Sequence, residues 1–355
     1  MSQKSGTGAS SDARIPVNVL TGFLGSGKTT LLKRLLSSET FRNCAVLINE
    51  LGEIGLDHHL LDVVDQETVV LSNGCICCGM RSDLAAALLD LNEKRERGLV
   101  PSFNRVMLET TGLADPVAVL NTVFSDAKLR HHFRVATVIT TVDAMFGMRQ
   151  LAEHRESFQQ AAIADRVVIT KADLADDAVV GELRAALESI NPSCRIVISR
   201  NDASEHDVLI EDDASAPCAL KEATHWFFSK SSGIGGKNAG PSLFGSQSRP
   251  LGPMHVSTIS TASLMYGQPL DWTAFGVWLS MLVHGHGEKI LRMKGLLNIK
   301  GSDTPVVVHG VHHLIHPPVH LDAWPTDDRR SRLVLIGNLP PVEQLQRSFE
   351  QFNES

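Results

Sequence analysis

The sequence predicts an α/β fold: a mainly parallel sheet flanked by helices, followed by a smaller α+β domain. Two observations carry this reading. From Ile15 to Ser199, short β-branched runs alternate with longer stretches whose apolar residues recur at helical spacing. Beyond a segment rich in Gly, Ser, Lys and Pro, Ser229–Pro253, ordered patterning returns with more strands than helices.

The elements follow in order. Ile15–Thr21 reads as a strand and Lys28–Ser38 as the helix after it. Ala45–Asn49 and Thr68–Leu71 are short strands, Met80–Arg97 a helix and Arg105–Glu109 a strand. Pro116–Phe124 is a helix with Pro in its first turn and Asp115 as N-cap. Val135–Val142 is a strand, Ser157–Ala164 a helix, Arg166–Thr170 a strand, Asp176–Ile190 a helix and Arg195–Ser199 the closing strand. In the second unit a strand is expected over His255–Thr261, an amphipathic helix over Asp271–His284, and strands near Ile290–Ile299, Val306–His312 and Arg332–Gly337, with a helix from Val342. The chain therefore divides into a tail at 1–14 expected to be disordered, a first α/β domain at 15–205, a flexible linker at 206–254 and a C-terminal domain at 255–355.

Bulk properties narrow the classes. Thirty-three Lys and Arg against 40 Asp and Glu leave a formal charge of −7, so no overall basic footprint for nucleic acid exists. No run approaches the ~20 apolar residues that span a bilayer, and the Ser/Gly-rich start reads as neither signal peptide nor anchor. A cytoplasmic location without membrane or nucleic-acid partners is expected.

Residues 22–30, Gly-Phe-Leu-Gly-Ser-Gly-Lys-Thr-Thr, fit G-x-x-x-x-G-K-[ST] between a strand and a helix. Glycines there let backbone N–H groups converge on phosphate oxygens, and the helix N-terminus adds a positive dipole. Gly22, Gly25, Ser26, Gly27, Lys28, Thr29 and Thr30 are the candidate phosphate contacts, with Lys28 reaching the β- and γ-phosphates and Thr29 binding Mg²⁺. These signals define a P-loop NTPase. Glu109 ends an apolar strand, where an acid would orient Mg²⁺; Lys28 and Glu109 are the candidate catalytic pair, and the Gly112 N–H can approach the γ-phosphate. Thr170-Lys171-Ala172-Asp173 follows another strand. The Asp173 carboxylate can accept both N1–H and N2–H of guanine, a donor pair that adenine lacks, while Lys171 lies along the base. GTP is the expected nucleotide.

Three of six cysteines, Cys75, Cys77 and Cys78, fall on a turn flanked by Gly74 and Gly79. Thiolates are soft donors suited to Zn²⁺ or Cu(I), although buried thiols or a redox role would also bunch cysteines. Segment Asn49–Asp57 follows the second strand, where nucleotide-sensing loops lie, and Glu53 could complete a thiolate site; an acidic surface loop is the alternative. His309, His312, His313, His316 and His320, with His284 and His286 nearby, suit strand packing better than a metal entry site.

The motifs at 22–30, 49–57, Gly-Cys-Ile-Cys-Cys (74–78), Glu-Thr-Thr-Gly-Leu-Ala-Asp-Pro (109–116) and Thr-Lys-Ala-Asp (170–173) together resemble the CobW-like metallochaperone GTPases. Leu-Arg-Met-Lys-Gly-Leu-Leu (291–297), His-Gly-Val-His-His (309–313) and Ser-Arg-Leu-Val-Leu-Ile-Gly (331–337) resemble that family's C-terminal domain. The resemblance implies slow GTP hydrolysis coupled to loading a metal onto a client metalloprotein. It assigns Cys75, Cys77 and Cys78 to the family's C-x-C-C metal motif, with Glu53 as a ligand. The linker lacks the long His-rich run of the cobalamin-pathway members, which favours zinc over cobalt. Residue 48 is Ile, where some members carry a Glu that reaches the metal.

The cofactors expected are GTP, Mg²⁺ and Zn²⁺; the partners are GTP/GDP, a metal ion and an unidentified client, with a homodimer left open. Two rivals stand beside this reading. A P-loop small-molecule kinase with structural cysteines would more often use ATP, and a nucleotide-bound metal store or sensor would not need an intact Lys28 and Thr29.

Overall fold

A computed structural model describes residues 13–38, 41, 43–49, 69–73, 80–199, 209 and 259–354. The first domain runs β1 (Ile15–Gly22), α1 (Lys28–Leu36), β2 (Cys44–Asn49), β3 (Val69–Asn73), α2 (Met80–Glu96), β4 (Arg105–Glu109), α3 (Pro116–Ser125), α4 (Ala127–His132), β5 (Phe133–Asp143), α5 (Gly147–Glu153), α6 (Arg155–Ile163), β6 (Arg166–Thr170), α7 (Asp177–Ile190) and β7 (Arg195–Ile198). The strands form one sheet in the order β3-β2-β4-β1-β5-β6-β7, and every pairing is parallel. The expected parallel α/β sheet is what forms.

Side chains alternate between two cores because successive strand residues face opposite sides. Val17, Val19, Val106, Leu108, Val167 and Ile169 join the larger core, which takes in residues of α2, α3, α6 and α7. Leu20, Val46, Met107 and Val168 face the other way and meet Leu31, Leu32, Leu35 and Leu36 of α1. Burial on both faces explains why these strands read as continuous apolar runs.

The second domain contains β8 (Ser260–Tyr266), α8 (Trp272–His286), β9 (Ile290–Leu297), β10 (Val306–Val311), β11 (Leu314–Ile315), β12 (Val319–His320), β13 (Ser331–Gly337) and α9 (Val342–Asn353). Its antiparallel sheet runs β11-β10-β9-β13-β8, with β12 also paired to β10. Asp271 caps α8 by accepting from the Thr273 and Ala274 N–H groups. Phe275 and Trp278 of α8 pack on Phe349 of α9, with Trp278 and Phe349 ring centroids 4.8 Å apart.

One boundary corrects the sequence reading. The strand expected over His255–Thr261 runs instead from Ser260 to Tyr266; residues 255–258 lie outside the described residues. Ala262 and Leu264 turn inward and pair with β13 through Leu335 and Leu333, so the period-2 pattern begins where the expected strand closes. Helices α4 and α5 have no counterpart in the sequence reading, and β5 starts at Phe133 rather than Val135.

The two domains meet through buried charge. Asp165, between α6 and β6, accepts from Arg292 of β9 and lies 3.2 Å from Lys294 Nζ. Its other carboxylate oxygen accepts from the Val138 N–H at 3.0 Å, and Lys294 also donates to the Ser193 carbonyl at 3.2 Å. Leu291, Val311, Val334 and Ile336 of the second domain enter the first domain's larger core around this cluster. Burial would raise the Asp165 pKa, but Arg292, Lys294, the Val138 N–H and Arg166 outweigh it and hold the carboxyl well below the usual range.

Candidate nucleotide and metal site

Everything expected to touch nucleotide lies where β1, β4 and β6 end. Residues 23–27 turn from β1 into α1, and Gly27 caps that helix in the left-handed region at φ 89°, which a side chain would strain. No side chain caps α1, so its first N–H groups point at the loop mouth with the helix dipole behind them. Lys28 Nζ donates to the carbonyls of Gly22 at 2.9 Å and Phe23 at 3.2 Å, arching over the loop that phosphates would fill. Gly25 is exposed at the loop's crest, and Thr30 is exposed on the first turn of α1.

Thr29 Oγ1 donates to Glu109 Oε1 at 2.7 Å. Glu109 ends β4, register partner of Leu20 in β1, and is 4% exposed. Two hard oxygen donors thus already touch, and that donor set fits Mg²⁺. The next residues are tightly placed. Thr110 Oγ1 donates to Thr21 Oγ1 at 2.9 Å. A Cβ on Gly112 would sit 2.7 Å from the Leu24 nitrogen and 2.8 Å from its Cα, so only glycine lets this turn approach the phosphate loop so closely.

The Thr170–Asp173 turn is braced against the same loop. Thr170 Oγ1 donates to the Ser26 carbonyl at 2.7 Å, tying the end of β6 to the turn before α1. Lys171, left-handed at φ 55°, donates to the Gly25 carbonyl at 2.8 Å and to Asp143 Oδ2 at 2.6 Å. Asp173 is exposed in the short 3₁₀ turn Ala172–Leu174, its carboxylate open to solvent beside the loop.

Sequence reasoning missed four supports. Ser26 Oγ pairs with Thr141 Oγ1 at 2.7 Å, so this serine faces the sheet rather than the loop mouth. Gln160 of α6, fully buried, donates to the carbonyls of Gly112 at 3.2 Å and Ala114 at 3.1 Å. His154 stacks on Phe23, ring centroids 4.4 Å apart. Asp143 holds Lys171. Of these, only Asp143 left a signal: like Glu109, it is an acid closing an apolar strand.

Cys75, Cys77, Cys78 and Glu53 lie outside the described residues. Their anchors do not. Asn49 ends β2, Asn73 ends β3, and the two are register partners, while Ile48 pairs with Glu109. Asn49, before the Glu53 segment, and Asn73, before the cysteines, therefore end neighbouring strands, the first one strand and the second two strands from the acid that meets Thr29. The remaining described cysteines are unsuited to metal: burial pushes the thiols of Cys44 and Cys194 up to about 12, so both stay protonated. Among the described residues no group of three His, Cys, Asp or Glu side chains could hold a metal ion, the C-terminal histidines included. No helix among them is long and apolar enough to cross a membrane.

A phosphate loop, a strand-end acid and a guanine-type turn converging on one edge of a parallel sheet are the marks of a P-loop GTPase. The comparisons agree. The chain belongs to the CobW/HypB/UreG nucleotide-binding family, whose domain matches residues 16–198, and the cobalamin synthesis protein CobW C-terminal domain matches residues 259–353. It is similar to the zinc chaperone YjiA of Escherichia coli, 29% identical over 94% of this chain and 98% of that one. It is also similar to the zinc chaperone CobW of Pseudomonas aeruginosa, 28% identical over 92% of this chain and 88% of that one. The crystal structure of Zn(II)-bound YjiA GTPase from E. coli superposes with a TM-score of 0.67 at 25% identity, covering 96% of this chain and 99% of the other.

Proposed function

We propose that this GTPase is a zinc metallochaperone: it binds Zn²⁺ through Cys75, Cys77 and Cys78, with Glu53 as a further ligand, and hands the ion to a client metalloprotein. The observation that carries this reading is the pairing of Asn49 with Asn73 and of Ile48 with Glu109. It sets the roots of the cysteine segment, the Glu53 segment and the nucleotide's acid side by side. The zinc-chaperone names of two relatives that match nearly end to end support the choice of metal.

The chain's own residues divide the work. Lys28, drawn off the Gly22 and Phe23 carbonyls, pairs with the β- and γ-phosphates. Thr29 and Glu109 hold Mg²⁺, which when bound neutralises phosphate charge. Gly112 offers its N–H to the γ-phosphate, and Thr170, Lys171 and Asp173 seat guanine. Loops that order around the γ-phosphate relax on hydrolysis. With Glu53 on such a loop, GTP brings a carboxylate to the thiolates and GDP withdraws it.

Competition titration against a chromophoric chelator tests this. Zn²⁺ affinity is expected to be ~5–150-fold higher with a non-hydrolysable GTP analogue than with GDP, and Zn²⁺ is to favour the analogue by the same factor. Replacing Cys77 and Cys78 by Ala removes the coupling and leaves nucleotide binding intact. Equal zinc affinity in both nucleotide states would overturn the switch.

A further inference from the structure

We infer that Asp143 is a specificity-determining positioning residue, the buried anchor that fixes Lys171 across the guanine pocket and ties that pocket to the phosphate loop. The inference rests on the guanine reading of Thr170–Asp173 and deepens it.

Asp143 ends β5 as register partner of Thr170 at the end of β6. Its side chain is only 2% exposed, whereas that of Lys171 is 39% exposed. The two carboxylate oxygens have separate duties. Oδ1 accepts from the Met145 N–H at 2.8 Å and the Phe146 N–H at 3.3 Å, which fixes the carboxylate plane. Oδ2 accepts from Lys171 Nζ at 2.6 Å. The same ammonium donates to Gly25 O at 2.8 Å, so one cation links a strand end, the base turn and the crest of the phosphate loop. The Ala144 N–H donates to Thr170 O at 2.9 Å and locks the two strand ends at this level.

A lysine stem has four rotatable bonds and loses much freedom when held straight. An exposed lysine bonded to one carbonyl would sample many rotamers. The buried carboxylate removes that freedom before nucleotide arrives, so the stem is a preformed surface for the base and the cost of ordering it is not charged to binding. The left-handed backbone of Lys171, uncommon for a residue with a Cβ, is the strain this anchoring sustains. With both carboxylate oxygens engaged by Met145, Phe146 and Lys171, Asp143 acts through Lys171.

Asp143→Asn is the decisive variant: the amide retains an oxygen for Met145 and Phe146, while its NH2 replaces the oxygen that faces Lys171, so both the charge and the acceptor on that side are lost. Steady-state hydrolysis is expected to show KM for GTP raised about tenfold, with kcat changed about twofold or less. In a Lys171→Met background the same substitution is expected to change KM no further, since the partner is gone. ATP competition against GTP on the wild type separates the layers. A wild type that does not discriminate GTP from ATP overturns the guanine reading itself. Discrimination by the wild type, with KM unmoved in Asp143→Asn or raised equally in both backgrounds, overturns the role given to Asp143. Should Asp143→Asn not fold, Lys171→Met alone reads the same strut from its exposed end: unchanged KM for GTP in that variant overturns the inference.

Discussion

The Thr29 hydroxyl donates to the Glu109 carboxylate at 2.7 Å, joining the first turn of α1 to the end of β4 across 80 residues of sequence. The phosphate loop and the acid are thus held in register by the protein's own side chains. Lys28, one residue earlier, rests on two loop carbonyls and has only to swing onto phosphate. Lys28→Ala should therefore lower GTP turnover by at least about 100-fold and weaken nucleotide binding sharply, while the fold persists. Single-turnover hydrolysis with circular dichroism checks both parts; retained turnover would move the active site elsewhere.

Asp173 stands exposed at the rim, where its carboxylate can meet the guanine edge. Asp173→Asn should cost roughly 10–100-fold in GTP affinity and improve XTP binding, because the amide donates to the 2-oxo group that xanthine presents. Fluorescent-nucleotide displacement by GTP and XTP measures the exchange of preference.

Asp165 neutralises two cations that the second domain brings into the interior. Asp165→Asn removes the carboxylate charge that meets Arg292 and Lys294 in the interior, and should cost about 3–5 kcal/mol of stability. Urea denaturation is the measurement. A loss below about 1 kcal/mol would mean that solvent reaches the cluster.

The same junction should be acid-sensitive. His309 is buried against Lys294 and Arg292, and its pKa is lowered by burial first and by those cations next. His316 keeps part of its surface open, but its Nε2 is buried and its edge meets Phe124; burial, then Arg292, pushes it down to about 4. Both imidazoles are neutral in the folded chain near neutrality, whereas an unfolded histidine titrates near ~6.5. As pH falls below that value the unfolded state takes up protons that the folded state refuses, so stability is full above about pH 7 and declines from about 6.5 towards 4. The depressed Asp165 carboxyl adds a further decline once unfolded carboxylates protonate, below about pH 4. Each histidine contributes a slope of up to about 1.4 kcal/mol per pH unit. Thermal melts from pH 8 to 4.5 should show the decline, and His316→Phe should flatten it by one proton's share.

How far the sequence could be read follows from how local each feature is. The loop at 22–30 and Glu109 are spelled by contiguous residues, and their strand and helix neighbours form as their apolar spacing implies. Lys171 and Asp143 lie 28 residues apart and meet only because β5 pairs with β6 in one register. Asp165 and Arg292 are 127 residues apart and belong to different domains, so no window of sequence contains the pair. The six-residue helix α4 is too short for a 3.6-residue period to show, although Asp126 caps it by accepting from the Lys128 and Leu129 N–H groups. Strand β9 reads as apolar although Arg292 and Lys294 are buried within it, because composition does not say which charges find a partner. Of the histidines expected to pack on strands, His309 does lie in the interior, whereas His313 is exposed on the turn between β10 and β11.

The grip of Asp165 on β9 limits what can be built from this protein. Arg292 and Lys294 are two residues apart, hence on one side of an extended strand, and they meet a single carboxylate at the entry to β6. The far end of that five-residue strand carries the guanine turn. A chimera that exchanges the C-terminal domain must therefore present a matching pair of cations at that spacing, or be given an apolar residue at 165. Otherwise the graft strands a negative charge inside the protein at the root of the strand that seats the nucleotide. Compatibility between halves drawn from different relatives can be judged, before any construction, from three positions.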